Sequence, residues 1–396
     1  MLNAGNPREL VLASLPEAAL LISAPGRVNL IGEHVDYNMG IVLPAAVDRR
    51  VWLAVKPLEA PILRITALDL EESVEINLNN LAARVDRKGK PLPLWSLYPS
   101  AVAWIFQSKG YTLSGLEACI ASNLPMRAGL SSSAAIEVAF ALAFQTLAGI
   151  EMERMHLAQL CQTAESSFIG VHCGLMDQFA VSHGVARHAL FFDTRSLEWQ
   201  PIPLPPDTVL VVADSGKKRE LAKSAYNQRQ QECQLAVQLL NRQNPTIHSL
   251  RDVEIDAFKK YEQFLPQPAA KRARHVIEEI ERVQRSAIVL AEEDAVTFGQ
   301  IMFAGHISLR DLYEVSCEEL DFLVEMAAGL PGCLGAKLTG AGFGGCTVNL
   351  VRKPEAELFC EQMQAAYQSR FSVDLITHIC RADRGAYVEK IEKAVH

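Results

Sequence analysis

The chain has 396 residues, of which 49% are hydrophobic, and its 38 basic and 46 acidic side chains give a net charge of −8. The hydrophobic content is sufficient for a large core, which excludes a disordered chain, and the length suggests two or three domains or two joined lobes. The acidic surplus argues against a nucleic-acid partner, and the lack of any uninterrupted apolar run of about 18 residues predicts no membrane span.

The first half of the chain mixes predicted strands and helices. Short apolar or alternating runs predict strands at 21–25, 51–55, 74–78, 116–122 and 188–193. Longer runs predict helices at 94–109, 133–147 and 151–168. The segment QPIPLPPD (200–207) has four prolines in eight residues, which excludes a helix or a central strand. We place the boundary between an N-terminal lobe (1–200) and a C-terminal lobe (201–396) there.

The second half is predicted to be mainly helical. A strand at 209–214 precedes predicted helices at 219–241, 270–291, 294–313 and 317–328. Strand character returns in AKLTGAG and GCTVNLV, and a last helix follows near 354–369. Because strands and helices do not alternate as regular βα units, the sequence predicts an α+β fold of two lobes.

A serine-rich segment, LPMRAGLSSSAA (124–135), follows a predicted strand and opens a long apolar helix. Hydroxyls and free backbone N–H groups therefore gather at a helix N-terminus, which carries about half a positive charge and suits an anion. A single serine would be enough for an ordinary helix cap. Three serines in a row after Gly129 favour a phosphate-binding loop.

A glycine-rich segment, LTGAGFGGCTV (338–348), contains a GxGxxG match. A dinucleotide-binding loop must leave a strand and open a helix, whereas these glycines lead into a strand-like segment. Two interpretations remain, close approach of the backbone to a ligand and a plain hairpin turn, and four glycines in six residues favour the ligand. The Walker A and protein-kinase motifs are absent, which excludes both of those folds.

A dense polar cluster lies in APGRVNLIGEHVDYNMGIVLP (24–44), between apolar flanks. Its members fall within twelve positions and are Arg27, Asn29, Glu33, His34, Asp36, Tyr37 and Asn38. Polar groups this dense fit poorly in a core without a ligand, and mixed donors and acceptors suit a polyhydroxylated molecule. Two other interpretations stay open, a metal site with His34 and Asp36 as ligands and a solvated surface turn.

A third cluster lies in TAESSFIGVHCGLMDQFAVSHG (163–184). Glu165 belongs to a predicted helix whose pattern turns it toward the serine-rich segment. Asp177 stands among apolar side chains, and an acid in such surroundings is either paired or functional. We interpret His172 and His183 as structural, because nothing in the pattern ties them to a partner.

Cysteine usage and the first residues bear on the compartment. The nine cysteines include no CxxC pair, which is typical of thiols in a reducing cytoplasm rather than of a disulfide framework or a zinc site. The start, MLNAGNPREL, has no basic head followed by an apolar core, so no secretory signal is expected. We predict a cytoplasmic protein whose oligomeric state the sequence leaves open, with a monomer slightly favoured.

Taken together, the motifs resemble those of the galactokinases, a branch of the GHMP small-molecule kinase family. GRVNLIGEHVDYNMGIVLP resembles the galactokinase signature, LPMRAGLSSSAA the phosphate loop of the family, and KLTGAGFGG its third motif. VHCGLMDQF resembles the catalytic-acid segment of galactokinases. The segments SAYNQR and GHISLRDLYEVSCEELD add to a resemblance that extends over nearly the whole chain.

The resemblance implies an N-terminal lobe of ribosomal-protein-S5-like topology, a ferredoxin-like C-terminal lobe and an active site between them. It implies that ATP and Mg2+ are used to phosphorylate the anomeric hydroxyl of galactose, giving galactose 1-phosphate and ADP. By motif match, Asp177 is the acid that faces the sugar hydroxyl and Arg27 is its basic partner.

The same motif match implies the remaining site residues. The implied sugar-binding residues are Glu33, His34, Val35, Asp36, Gly174 and Tyr226. The implied nucleotide-binding residues are Arg127, Ala128, Gly129, Leu130, Ser131, Ser132 and Ser133, with Trp95 of the segment WSLY near the adenine. The implied Mg2+ ligands are Ser133 and Glu165.

The sequence departs from the family pattern at three positions. Val35 replaces a threonine, Arg127 a glycine and Gly305 a serine. An arginine in place of a glycine predicts a negative backbone φ at position 127. Two rival functions stay open, a kinase of N-acetylgalactosamine or another sugar, and a sensor that binds sugar and ATP without turnover. The complete SSSAA segment together with Asp177 and Arg27 favours an enzyme.

Overall fold

The computed structural model describes residues 6–125, 129–171, 173–217 and 222–391. The strands within them are β1 (Leu20–Asn29), β2 (Ile41–Val42), β3 (Pro44–Leu58), β4 (Ile62–Ala67), β5 (Glu72–Asn77), β6 (Gly115–Ser122), β7 (His188–Asp193), β8 (Trp199–Pro203), β9 (Thr208–Asp214), β10 (Cys333–Thr339), β11 (Cys346–Arg352), β12 (Ile376–Cys380) and β13 (Tyr387–Lys390).

The α-helices of the described residues are α1 (Pro7–Ser14), α2 (Leu94–Ser108), α3 (Ser132–Leu147), α4 (Arg154–Ala164), α5 (Met176–His183), α6 (Ala222–Gln243), α7 (Ile255–Tyr261), α8 (Gln267–Ala291), α9 (Ala295–Ser308), α10 (Glu318–Gly329) and α11 (Ala356–Phe371). Helices α4 and α9 each run on into a π-helical turn, at Glu165–Ile169 and Leu309–Tyr313. No helix of the described residues has the length and apolar character that a bilayer span requires.

The larger sheet has six strands in the order β13–β1–β3–β6–β4–β5. Neighbouring strands run antiparallel except β4 and β6, which are parallel. Strand β1 is buried along its whole length, because successive residues such as Leu21 and Ile22 enter apolar clusters on opposite faces. Helices α3 and α5 pack on β1, and α1 packs on β3 and β6. This sheet therefore holds Arg27 of β1 firmly in place.

The second sheet has four antiparallel strands in the order β10–β11–β9–β12. Helices α9 and α10 pack on β10, and α10 and α11 share an apolar cluster with β9. Strands β10 and β11 form a hairpin whose connection is the glycine-rich segment. The sheet thus carries that segment to the junction with the larger sheet, where Thr339 Oγ1 accepts a hydrogen bond from Asn29 N over 2.9 Å.

A third, smaller sheet has the order β2–β7–β8. Its edge strand β8 includes the first prolines of QPIPLPPD, and an edge position tolerates a missing backbone N–H. The segment is therefore neither helix nor central strand, as the sequence predicted. The last strand, β13, pairs with β1, so the chain returns to the N-terminal sheet after the second sheet is complete. The lobe boundary near residue 200 stays a prediction.

The predicted α+β class is confirmed, and the predicted helices and strands correspond to observed elements with shifts of a few residues at their ends. The elements that the sequence analysis did not predict are short or weakly patterned, and they are α1, β2, β4, α5, β8, α7, β12 and β13. The predicted helices at 151–168 and 294–313 each end in a π-helical turn, which apolar periodicity does not reveal. Such turns are frequent at functional sites, and both lie in the site described next.

Candidate active site

An arginine and an aspartate from distant parts of the chain form a bidentate ion pair. Arg27 Nε lies 2.7 Å from Asp177 Oδ1, and Arg27 Nη2 lies 2.7 Å from Asp177 Oδ2. Arg27 is 4% exposed, whereas the Asp177 side chain, in the first turn of α5, is 26% exposed. The pair fixes the orientation of the carboxylate and leaves part of it open to a ligand. The acid in apolar surroundings is therefore paired.

The start of α3 lies against this ion pair. Arg27 Nη1 donates to Gly129 O over 2.6 Å, and Arg27 N donates to Leu130 O over 3.0 Å. Ser131 has a left-handed backbone with φ 56°, and its hydroxyl donates to Asp177 Oδ2. The serine loop and the catalytic-acid segment therefore meet at one point, as the motif match implied.

The serine-rich segment does not act as an ordinary helix cap. Ser131 holds the N-cap position of α3, but its side chain makes no capping hydrogen bond. Ser132 and Ser133 form the first turn, whose backbone N–H groups have no partner within the helix. This N-terminus is a suitable phosphate site beside the ion pair. Arg127 and Ala128 lie outside the described residues, and so does the φ predicted for position 127.

Two buried carboxyl groups lie close together behind the serine loop. Gln178 Nε2 donates to Glu137 Oε2 over 2.9 Å and to Glu165 Oε2 over 2.8 Å, and Cys173 Sγ donates to Glu165 Oε2 over 3.1 Å. Burial raises the pKa of Glu137, and the charge of Glu165 adds to this upward shift. Burial also raises the pKa of Glu165. The Ser133 hydroxyl is hydrogen-bonded to Glu165, so the implied metal pair is brought together.

The glutamate of the signature segment is paired with a buried lysine of the second sheet. Lys337 of β10 donates from Nζ to Glu33 Oε2 and, over 2.8 Å, to Leu338 O. Burial raises the pKa of Glu33 to about 7, while the Lys337 charge opposes that shift. Glu33 Oε1 is buried without a partner among the described residues. A ligand hydroxyl would satisfy this oxygen, because unpaired buried polar atoms are costly.

Both ring nitrogens of His34 have partners inside the protein. Nδ1 lies 2.8 Å from Tyr37 OH, and Nε2 lies 3.1 Å from Ala341 O of the glycine-rich segment. Burial lowers the pKa of His34 to about 3, so the ring is neutral near pH 7. No group of three or more His, Cys, Asp or Glu in the described residues is arranged to hold a metal. The structure therefore does not support His34 and Asp36 as metal ligands.

Asp36 and Gly174 are in direct contact. A Cβ on Gly174 would lie 1.9 Å from Asp36 Oδ2, so only a glycine leaves room for this carboxylate. Burial raises the pKa of Asp36 to about 6, and the neighbouring Asp177 charge adds to the shift. The signature segment is buried rather than a solvated surface turn, and it presents Asp36 beside the ion pair.

Tyr226 of α6 completes this side of the site. Its ring centroid lies 5.4 Å from that of His34 and 5.4 Å from that of Tyr37. Val35 is fully buried in the apolar core, so its side chain faces away from a polar ligand. The assignments of Tyr226, of the backbone of Val35 and of the other implied residues to a sugar stay predictions.

Trp95 lies in the first turn of α2. Its indole N–H donates to Glu72 Oε2 over 2.6 Å, and the ring is partly buried. One turn later, Tyr98 lies near Glu165. Burial raises the pKa of the Tyr98 hydroxyl, and the Glu165 charge adds to this shift. Helix α2 therefore borders the buried carboxyl groups, while the contact of Trp95 with adenine stays a prediction.

The glycine-rich segment is a hairpin connection. Gly342 has a φ of 77°, and a Cβ there would lie 2.2 Å from Val315 O. Phe343 N donates to Val315 O over 2.7 Å, while Ala341 O contacts His34. The glycines thus allow the turn to approach the protein's own backbone, and approach to a ligand stays a prediction.

The sequence analysis missed several residues that the fold brings to the site. Lys337 carried a signal, since it is a lysine within an otherwise apolar strand, whereas Gln178 and Tyr313 carried none beyond their place in motif segments. The departure at Gly305 has a steric explanation. A Cβ on Gly305 would lie 2.7 Å from Ile31 Cδ1, so the serine usual in the family would require Ile31 to move.

Comparison with known proteins decides the family. The model "Galactokinase galactose-binding signature" matches residues 13–57, "GHMP kinases N terminal domain" matches 98–185, and "GHMP kinases C terminal" matches 285–369. A galactokinase of Roseiflexus sp. (strain RS-1) is 44% identical over 366 residues, covering 92% of each chain. The chain belongs to the galactokinase family. A galactokinase of Thermotoga neapolitana is 41% identical over 371 residues, covering 93% of this chain and 99% of the relative.

Solved structures agree with the galactokinase assignment. The crystal structure of Lactococcus lactis galactokinase complexed with galactose matches with a TM-score of 0.89 at 29% identity, covering 96% of this chain and 98% of that chain. A mevalonate kinase structure matches with a TM-score of 0.60 at 18% identity, which shows the common fold alone, over 91% of this chain and 98% of that chain. The two-lobed GHMP kinase fold predicted from the motifs is therefore confirmed.

Proposed function

We propose that the protein transfers the γ-phosphoryl group of ATP to the anomeric hydroxyl of galactose, giving galactose 1-phosphate and ADP. The observation that carries the proposal is the position of the Arg27–Asp177 ion pair against the serine-rich N-terminus of α3. This arrangement joins a carboxylate suited to a sugar hydroxyl with a helix terminus suited to phosphate. The galactokinase relatives and the galactose complex from Lactococcus lactis support the same substrate.

Phosphoryl transfer depends mainly on positioning and on charge neutralisation. In the proposed reaction, Asp177 accepts the anomeric hydroxyl proton while the sugar oxygen bonds to the γ-phosphorus and the bond to the bridging oxygen of ATP breaks. Arg27 holds Asp177 through two hydrogen bonds and offsets the negative charge of the transferring group. General-base catalysis of this kind contributes about 10²–10⁴-fold.

The sugar would bind on the opposite side of the ion pair from the serine loop. The buried Glu33 Oε1 has no partner among the described residues and suits a sugar hydroxyl donor. The Asp36 carboxylate, with Gly174 against it, and Tyr226 offer further polar groups. A mixture of acceptors and aromatic faces is suited to a hexose rather than to an apolar acceptor.

The residues near α3 also fit the Mg2+ ion that kinases use to bind nucleotide phosphates. Ser133 supplies a hydroxyl and Glu165 a carboxylate, which are hard oxygen ligands of the type Mg2+ prefers. Burial disfavours the charge of Glu165, and a divalent cation would compensate for this cost. When bound, the ion would neutralise phosphate charge. Magnesium commonly takes only one or two protein oxygens and completes its shell with phosphates and water.

Purified protein with MgATP is expected to phosphorylate galactose and to leave glucose nearly untouched. The two sugars differ only in the orientation of one hydroxyl, and a site built from fixed buried carboxylates rejects a hydroxyl that leaves them unpaired. The measurement is ADP release with a panel of sugars that includes N-acetylgalactosamine. Equal rates on galactose and glucose, faster turnover of another sugar, or no ADP above the blank would each contradict the proposal.

Gly174→Ala is expected to raise the KM for galactose at least about tenfold, because the added methyl group displaces Asp36 and one lost hydrogen bond of about 1.4 kcal/mol is a factor of ten. The KM for ATP should stay within about twofold. Gly329→Ala is the matched control, since a Cβ there meets nothing within 4 Å. An unchanged KM for galactose would show that Asp36 does not bind the sugar.

The cytoplasmic location stays a prediction.

A further inference from the structure

A chain of hydrogen bonds runs behind the signature segment and links three parts of the protein. Tyr37 OH lies 2.8 Å from His34 Nδ1 and 2.8 Å from Tyr313 OH. Tyr313 OH in turn lies 3.1 Å from Cys233 Sγ of α6, and His34 Nε2 lies 3.1 Å from Ala341 O. Tyr313 is completely buried, in the π-helical turn after α9. The chain therefore joins the signature, α6 and the glycine-rich connection.

Each hydrogen bond in this chain has a defined direction. A backbone carbonyl only accepts, so His34 Nε2 carries the hydrogen that is donated to Ala341 O. Because the ring is neutral near pH 7, Nδ1 has only a lone pair and must accept from Tyr37 OH. Tyr37 has then used its own hydrogen, so Tyr313 OH donates to it, and the Cys233 thiol donates to Tyr313. The set is fully satisfied in one arrangement only.

The same elements hold α6. Cys233 follows Tyr226 by seven residues, which is two turns, so both side chains lie on one face of the helix. Between them Arg229 donates from Nε to Tyr313 O over 2.7 Å and from Nη2 to Glu314 O over 2.9 Å. The π-helical turn after α9 is therefore the support on which this face of α6 rests.

We propose that Tyr313 and Cys233 are positioning residues for the sugar site, and this rests on the proposed function. The Tyr313 hydroxyl bridges Tyr37 of the signature to Cys233 of α6 and so sets the distance between His34 and Tyr226. Neither positioning residue contacts the sugar. They act by holding the signature segment and α6 at a fixed distance from each other on either side of the sugar site.

The first test is Tyr313→Phe, which removes the bridging hydroxyl and keeps the ring. The KM for galactose should rise about tenfold, while the KM for ATP and kcat stay within about twofold, because the signature and α6 are no longer joined. Tyr367→Phe is the matched control, since its buried hydroxyl donates a hydrogen bond from α11 to Ser215 O, directly after β9, over 2.7 Å. We expect Tyr367→Phe to lower Tm about as much as Tyr313→Phe does, without a change in the KM for galactose.

The second test is a double-mutant cycle with Cys233→Ala. This variant should raise the KM for galactose about threefold, and the conservative Cys233→Ser, which restores a donor, should recover part of the affinity. Because both changes break the same bridge, the double variant should have the KM of Tyr313→Phe alone. Independent, multiplying effects, an unchanged KM for galactose in Tyr313→Phe, or an equal rise in the KM for ATP would each overturn the proposal.

A third measurement does not depend on activity. Nitrogen-15 spectra of histidine-labelled protein should show His34 as the Nε2–H tautomer between pH 6 and 8, with the resonance identified by its loss in His34→Asn. In Tyr313→Phe the Nδ1 signal should shift while that of the Tyr367→Phe control does not. An Nδ1–H tautomer, or no shift in Tyr313→Phe, would refute the chain itself. If the wild-type protein fails to phosphorylate galactose, the proposed function is wrong. The spectrum still shows whether the chain of hydrogen bonds exists, because it does not depend on activity.

Discussion

Asp177→Asn is expected to lower turnover with galactose by at least about 10²-fold, while galactose binding is largely kept. The amide has the size of the carboxylate but neither its charge nor its capacity to accept a proton. It also leaves Arg27, which is 4% exposed, without its bidentate partner. Steady-state ADP release measures turnover, and calorimetric titration with galactose measures binding.

The matched control for this prediction is Asp256→Asn, which makes the same chemical change at an exposed position in α7. Asp256 forms an ion pair with Lys259 of the same helix, and its side chain is 86% exposed, so turnover should stay within about twofold. Near-normal turnover of Asp177→Asn would show that another group accepts the hydroxyl proton. Loss of galactose binding in that variant would instead assign Asp177 to sugar binding rather than to the chemical step.

Lys337→Met is expected to lower the free energy of unfolding by about 3–5 kcal/mol at pH 8, because it leaves Glu33 as an unpaired buried charge. The loss should be smaller near pH 5. Burial already raises the pKa of Glu33 from 4.5 to about 7, and removal of the Lys337 charge raises it further. The folded state then holds a proton that the unfolded state releases, so stability falls as the pH rises through this range. Urea denaturation at both pH values is the measurement.

The control for the lysine is the double variant Glu33→Gln/Lys337→Met, which removes both charges from the buried pair. It should recover at least about half of the stability lost at pH 8, because neither partner is left charged and buried. Its stability should also depend less on pH than that of Lys337→Met. Equal losses in the single and double variants at both pH values would show that the cost comes from packing rather than from Glu33.

The chemical identity of the site could be predicted from short segments. A phosphate loop needs small and hydroxyl residues at a helix start, and LPMRAGLSSSAA displays them within twelve positions. The signature and the catalytic-acid segment likewise keep their polar residues close together in sequence. These requirements are local, so Arg27, Ser133 and Asp177 stand out before any fold is known.

The partners of those residues depended on the fold. Arg27 meets Asp177 across 150 positions of sequence, and Glu33 meets Lys337 across 304. Nothing near either residue encodes its partner, because several acids and bases in the chain have the same local surroundings. Burial selects among them, since a charge enclosed by both sheets is tolerated only with its partner in contact.

The sequence by itself determined the α+β class, the positions of most helices and strands, and the membership of the chain in the galactokinase family through its motifs. Only the tertiary structure decided that His34 uses both ring nitrogens within the protein, that Gly174 makes room for Asp36, and that Tyr313 supports the signature. Local propensity and motif spacing act over a few residues. Contacts between the sheets arise from packing of the whole chain, where the apolar area buried by both lobes fixes distances that no single segment specifies.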